Sequence, residues 1–236
     1  MRILVLSDIH ANLAALQVVR EPFDVALCLG DTVEYGPNPV ECLSWVRENC
    51  RYLVRGNHDH GCAQNVAVPG QVGFRYLTKV TREATQPLLN PCDRRLLATL
   101  PLSRMVSLGG LRFLLVHASP RDPLEEYVPC DAEMWAARLQ GIKADFVCVG
   151  HTHQQFYLPV NGMGVLNPGS VGLPRDGDPR ARYAIIDNGK VTLHQAEYDL
   201  HATIAAVNAF AIPEDAKGQL ADIYCTGRFV HINGKS

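Results

Sequence analysis

The chain has 236 residues, 47% of them hydrophobic and 19% charged, and a formal charge of -2. That is enough apolar chain for one large α/β domain with a full core, the composition of an ordinary globular protein. The arginines lie scattered among acids, which argues against a dedicated nucleic-acid groove, and no stretch approaches the roughly 20 apolar residues needed to cross a bilayer.

The run Met1 to Leu6 is too short for a signal-peptide core and is cut off by Ser7-Asp8 without a small-residue cleavage site. It reads as a first strand, and a cytoplasmic protein is expected. Leu13, Leu16 and Val19 then recur at helical spacing behind an N-cap at Asn12, until Pro22 ends the pattern. Val25 to Leu29 is a second strand. Asn38-Pro39 opens a helix with the face Val40, Leu43, Trp45 and Val46, running to about Asn49, and Tyr52 to Val54 is a third strand. This alternation implies a parallel sheet.

From His60 to Met105 the pattern is mixed, with Pro69-Gly70, a helix around Leu77 to Leu89, and Asn90-Pro91 opening another through Leu100. This segment is expected to cover a rim. Met105 to Leu108, the Gly109-Gly110 turn and Leu111 to Val116 make a hairpin leading into His117, Ala132 to Gln140 is helical, and Phe146 to Val149 is a further strand. After His153, short strands alternate with turns at Asn161-Gly162 and Asp187-Asn188-Gly189, which predicts the antiparallel edge of a second, mixed sheet. Asp199 caps a helix bearing Ile204, Val207 and Phe210, Pro213 opens another, and the last ten residues show no period. One domain over residues 1–236 is expected, with a rim segment at 60–104 and a C-terminal helical extension at 199–236.

Eight cysteines are present, none in a C-x-x-C pair, and Cys28 and Cys148 sit inside apolar strands as small core residues do. They read as structural thiols in a reducing compartment. Cys62, three residues beyond Asp59, is the one to watch among them.

Those motifs are Asp8-Ile9-His10, Gly30-Asp31, Gly56-Asn57-His58-Asp59, His117 and Gly150-His151-Thr152-His153, each just past a strand-like run. In open α/β sheets ligands bind outside the carboxyl ends of the strands, so five separate loops can supply one cluster. Asp8 and His10 offer an oxygen and an imidazole nitrogen, Asp31 has two carboxylate oxygens and can bridge two ions, and Asn57 adds a neutral oxygen. With His117, His151 and His153 this is a mixed nitrogen and oxygen donor set without thiolate. It suits manganese, iron, zinc, cobalt or nickel and disfavours calcium or magnesium. The pattern reads as a two-metal hydrolytic site.

In order and residue type these five blocks resemble the calcineurin-like metallophosphoesterase family, most closely its small bacterial and archaeal phosphodiesterase branch. Ser7-Asp8-Ile9-His10, Gly30 to Pro37 and Asn167-Pro168-Gly169-Ser170 carry the branch resemblance, which fades after about Asp199. It implies a four-layer α/β/β/α sandwich of two mixed sheets flanked by helices. It also implies one metal on Asp8, His10, Asp31 and His153, and a second on Asp31, Asn57, His117 and His151. His58 is then the catalytic acid or leaving-group stabiliser, with Asp59 holding its ring. Two divalent ions about 3.5–4 Å apart lower the pKa of a bridging water, so that hydroxide attacks phosphorus in line. Set against Asp8, Asp31 and that hydroxide, they leave a net charge of roughly +1 that favours an anionic ester.

The chain departs from the family at two points. Ala11 stands where the family often has glycine, and Glu34-Tyr35-Gly36 replaces the Asp-Arg-Gly of the protein-phosphatase branch, removing an arginine that grips phosphate. The expected activity is hydrolysis of a small phosphate ester, foremost a phosphodiester, with nucleotide-derived substrates included. A phosphomonoesterase, a dinucleoside polyphosphate hydrolase and a protein-binding scaffold retaining the fold are the alternatives. His60, His194, His201 and His231 read as surface or hydrogen-bonded histidines, and Arg121 and Arg175 as surface charge ahead of bidentate phosphate clamps. Tyr35, Phe74, Tyr76 and Tyr127 read as core or rim packing ahead of nucleobase stacking. Asn167 to Ser170 is expected to shape a turn near the site rather than touch substrate.

Overall fold

The computed structural model describes residues 1–229; the expectations for His231 and for the end of the C-terminal extension fall outside them. The near-continuous apolar runs form strands because both of their faces are covered. β1 (Arg2–Leu6), β2 (Val25–Cys28) and β3 (Cys50–Leu53) pair in parallel. Antiparallel to β1 lies β9 (Ala181–Asp187), with β10 (Lys190–Ala196) outside it, giving the sheet order β10-β9-β1-β2-β3. The second sheet, β4-β5-β6-β8-β7, joins β4 (Ser103–Leu108), β5 (Leu111–Val116), β6 (Phe146–Cys148), β7 (Gln155–Val160) and β8 (Met163–Pro168). In it β5, β6 and β8 run parallel, and the outer strands are antiparallel.

The strand period of two sorts the side chains into layers. Ile3, Val5 and Leu27 of the first sheet meet Phe113, Leu115, Phe146 and Leu166 of the second in a core between the sheets. On β1 the intervening residues Leu4 and Leu6 face outward and pack with Leu16 and Val46 from α1 (Leu13–Leu16) and α2 (Pro39–Asn49). Beyond the second sheet, Leu114, Val116 and Val147 cover Trp135 of α6 (Ala132–Arg138). The result is the four-layer α/β/β/α sandwich.

Between β3 and β4 come α3 (Asn57–Gln64), α4 (Gly73–Thr85), a short 3₁₀ turn at Gln86–Leu88 and α5 (Pro91–Thr99). Asn90 caps α5 as expected, accepting from the amides of Cys92 and Asp93 in a capping box. α7 (Leu200–Ala209) and α8 (Glu214–Thr226) follow β10, with the Asp199 carboxylate accepting from the Ala202 amide. Tyr35, Leu77, Val207 and Leu220 form one apolar cluster, so the helices after β10 pack against the rim helix α4. Among the described residues no helix is long and apolar enough to cross a membrane.

The structure departs from the sequence pattern in three places. The helix after Asn12 lasts one turn, not two, because the Val19 amide turns back on the Leu16 carbonyl and Val18 and Val19 pack into the core instead of continuing the coil. The hairpins after His153 divide between the sheets: β7 and β8 join the second, whereas β9 returns to β1. At the third motif stands α3, a helix that the apolar periodicity does not announce. All eight cysteines are free, and burial pushes the Cys28, Cys62 and Cys148 thiols up to about 12.

Phe113 is fully buried between the sheets and stacks on Phe146 with ring centroids 5.2 Å apart. Phe113→Ala should therefore lower the unfolding free energy by about 3–5 kcal/mol in a denaturant titration. A loss within the range of surface substitutions, under about 0.5 kcal/mol, would contradict this placement of the core.

Candidate metal centre

The strand exits are bent sharply to aim their side chains inward. Asp8, His10, Ala11, Asp31, Glu34, Tyr35, His151 and His153 all hold left-handed backbone, with φ between 47° and 70°. Such conformations cost a non-glycine residue about 1–3 kcal/mol each and persist only where the surroundings over-determine them. Here the loops are tied to one another: the His10 amide donates to Asp31 O (2.9 Å), Gly150 N to His117 O (2.7 Å) and Gly172 N to Asp8 O (3.1 Å). Ser170 Oγ also donates to Asp8 O (2.7 Å), while Asn167 Nδ2 donates to Gly150 O (2.7 Å). Asn167 and Ser170 thus shape the loops, as the sequence leads one to expect. At Gly56 a Cβ would overlap the Asp31 carboxylate, and at Gly150 it would overlap Ser7 Oγ and Asp8 Oδ2, so both positions need the bare backbone.

All seven ligand candidates converge. His153 Nε2 lies 3.2 Å from Asp8 Oδ1 and 3.2 Å from His10 Nε2, and His10 Nε2 lies 3.8 Å from Asp31 Oδ2. On the other side of Asp31, His117 Nε2 is 3.2 Å from Oδ2 and 3.2 Å from Asn57 Oδ1. Ligand atoms of Asp31, His117 and His151 fall within 4.8 Å of one another. Asp31 is common to both groupings.

The donor set fits a divalent cation. The Nδ1 atoms of His10, His117 and His153 donate to the carbonyls of Val33, Leu29 and Leu173. In the neutral ring this fixes the tautomer and turns Nε2 toward the cluster as a lone pair. His151 is turned the other way, its Nε2 meeting the Glu125 carbonyl at 3.3 Å, which leaves Nδ1 as its lone pair. Two imidazole lone pairs 3.2 Å apart, those of His10 and His153, repel unless a positive charge lies between them. A proton is a poor candidate: burial first, and His58 next, hold His10 well below the ordinary range, and burial followed by the Arg175 charge lowers His153. Asp8 Oδ1 is buried beside these nitrogens with no hydrogen-bond donor, as a metal ligand requires and a structural carboxylate does not. At His117 burial alone would lower the pKa, but Asp31 outweighs it and holds the ring at about 10, so without a metal a proton on Nε2 meets the Asp31 carboxylate where a cation would stand.

His58 stands at the edge of the cluster, its Nε2 4.0 Å from Asp31 Oδ2. Its Nδ1 donates to Glu34 Oε2 at 2.6 Å, and Arg82 of α4 grips Glu34 through Nε and Nη2. The family resemblance gives the task of holding this ring to Asp59, and the structure corrects that: the contact is made by Glu34. Neighbouring residues of a helix point about 100° apart, so a side chain one position on does not face His58. Asp59, the N3 residue of α3, accepts from the amides of Asp31 (2.8 Å), Thr32 (2.9 Å) and Gly56 (3.1 Å) and so fixes the Asp31 loop to α3. Burial and then the Asp31 charge push its carboxyl up to about 7, against those amides. Burial works against a charged His58, but Asp31 and Glu34 outweigh it and raise its pKa.

A cleft of about 470 Å³ opens from Asn57 and His58, lined also by Tyr35, Phe74, Tyr127 and Arg175. Arg121 is not part of it and pairs with Glu126, as surface charge. Arg175, expected as surface charge, lies instead in the cleft. His60 lines the cleft, while His194 stacks on Tyr183 beside Glu21 and His201 is exposed. Tyr76 bonds Asp215 at the surface, and Tyr127 lies on the His151 ring at 4.1 Å. Glu34 and Arg82 are site residues that the motifs do not single out. The available signal for Glu34 is its place three residues after Asp31; nothing local marks Arg82.

Residues 1–190 match the family model of the calcineurin-like phosphoesterase superfamily domain. An uncharacterised protein of Methanocaldococcus jannaschii is 32% identical, the match covering 90% of this chain and 94% of that one. Among solved structures, a metallophosphoesterase from Sphaerobacter thermophilus is 34% identical, with a TM-score of 0.79 over 94% of this chain and 99% of its own. A hypothetical protein from Pyrococcus horikoshii, 20% identical, shares the fold with a TM-score of 0.80 over 93% of this chain and 97% of its own.

Because Asp31 touches both halves of the cluster, Asp31→Asn should lower the divalent metal content of manganese-loaded protein far more than Asp8→Asn does, measured by elemental mass spectrometry. Equal losses in the two variants would show that the carboxylate is not shared.

Proposed function

This chain belongs to the calcineurin-like phosphoesterase superfamily, and we propose that it is a binuclear metal-dependent hydrolase of small phosphate esters, phosphodiesters foremost. The observation that carries the reading is the pair of donor groups on either side of Asp31 with His58 beside them. In this reading Asp8, His10 and His153 hold one transition-metal ion, Asn57, His117 and His151 hold the other, and Asp31 serves both. Ions bound there supply Lewis acidity toward phosphoryl oxygens and a water acidified to near neutral pH.

The chain's own residues supply the rest. His58 presents Nε2 toward the cluster and gives its proton to the leaving oxygen, while Glu34 keeps Nδ1 occupied and the ring in one orientation. Arg82 grips Glu34 and keeps it in place, so the rim helix α4 supports the acid from behind. Asp59 acts on the loops rather than on His58, holding Asp31 where both halves of the cluster reach it. The left-handed strand exits leave the ligands little freedom to relax, which favours a preorganised site.

His58→Ala, loaded with manganese and assayed on bis(p-nitrophenyl) phosphate, should lose about 10²- to 10⁴-fold in kcat while keeping its metal content. Full turnover in that variant would remove His58 from the chemistry. Glu34→Gln retains an acceptor for Nδ1 but not the charge, and a smaller loss of about 10- to 100-fold is expected. An unchanged rate for Glu34→Gln would show that the contact does not support the reaction.

A further inference from the structure

Arg175 lies in the loop between β8 and β9 and is half-buried, yet it is not neutralised. Its guanidinium carbon sits 4.0 Å from the centroid of Phe74 and 5.8 Å from that of Tyr35. Its Nε is buried without an acceptor, and among the described residues no carboxylate pairs with it. The other inward arginine of the cleft, Arg82, is spoken for by Glu34, and Arg75 is exposed. A guanidinium stacked on aromatic faces sheds water at little cost and keeps its planar donor edge free, the arrangement in which arginine recognises phosphate bidentately.

The position of Arg175 sets which phosphate it can take. Tyr35 touches the rings of His10 and His58, at 4.8 and 4.9 Å, and Phe74 touches Tyr35 at 6.0 Å, so the aromatic rings lead outward from the metal centre. Arg175 sits on the outer ring of that series. Arg175 lines the same 470 Å³ cleft as Asn57 and His58, so an anionic group further along a substrate held at the metal ligands meets its donor edge there.

We propose that Arg175 is a specificity-determining residue that binds a second phosphate, adjacent to the one attacked, and that the substrate is accordingly a nucleotide-type ester carrying at least two phosphates. Phe74 and Tyr35 hold the guanidinium in place, and the rest of the cleft takes the organic part. This rests on the phosphoesterase reading for the first phosphate but not for the second, which needs only the cleft and the arginine.

The test is calorimetry on manganese-loaded wild-type protein, Arg175→Met and Arg175→Lys, using ADP and inorganic phosphate as probes. ADP should bind wild type more tightly than phosphate does. Loss of a charge-assisted bidentate contact in Arg175→Met should weaken ADP by about 10- to 100-fold, with a much smaller change for phosphate and partial recovery in Arg175→Lys. The same factor should appear, mainly in KM, when kcat/KM for diadenosine tetraphosphate is divided by that for bis(p-nitrophenyl) phosphate. Unchanged ADP affinity, or equal losses for ADP and phosphate, would overturn the proposal. Should Arg175→Met not fold, Arg175→Gln gives the same comparison. If wild type hydrolyses no ester while ADP binding still depends on Arg175, the phosphoesterase reading fails and the anion site stands. Turnover of the diester with no role for Arg175 in ADP binding would instead leave the phosphoesterase reading intact and remove the second-phosphate site.

Discussion

The structure depends on one electrostatic constraint: several buried imidazole lone pairs and two carboxylates point at one another around Asp31. Carbonyl acceptors at Val33, Leu29 and Leu173 turn Nε2 of three of those rings inward, and at His10 and His153, whose pKa values are lowered, the repulsion between lone pairs is built in rather than relieved by protonation. Positive charge at the centre converts that repulsion into attraction. The sandwich around it makes the arrangement rigid, because the ligands stand on strand exits whose strands are buried on both faces. The strain of the left-handed exits is offset by hydrogen bonds from one loop to the next and by the amide contacts of Asp59.

Much of this is legible in the residues. Strands with both faces covered appear as unbroken apolar runs, and each ligand follows directly on such a run, so the order of motifs predicts which side chains meet. The structure brings all seven together. What stays hidden involves contacts without a local signature. Glu34 and Arg82 are 48 positions apart, and a single arginine on an amphipathic helix looks like any solvated charge. α3 escapes notice because Asn57 to Gln64 is polar on most faces; its helix is set by Asp59 at N3 and by packing of Cys62 against Val33 and Leu97. The placement of β9 and β10 in the first sheet is equally invisible, since hairpins of similar pattern fit either edge.

The rim segment gains a physical meaning from these contacts. It carries Arg82, which supports Glu34 and through it His58, and Phe74, on which Arg175 lies. It is also packed against α7 and α8 by the cluster containing Leu77, Val207 and Leu220. The C-terminal helices thereby help to hold the wall of the cleft.

In the proposed reading Asp31 is shared between two cations. A crystal structure of manganese-loaded protein measured at the manganese absorption edge tests it directly. Two anomalous peaks are expected, one beside Asp8, His10 and His153 and one beside Asn57, His117 and His151, both in contact with the Asp31 carboxylate. A single peak, or peaks that leave Asp31 uncoordinated, would contradict it.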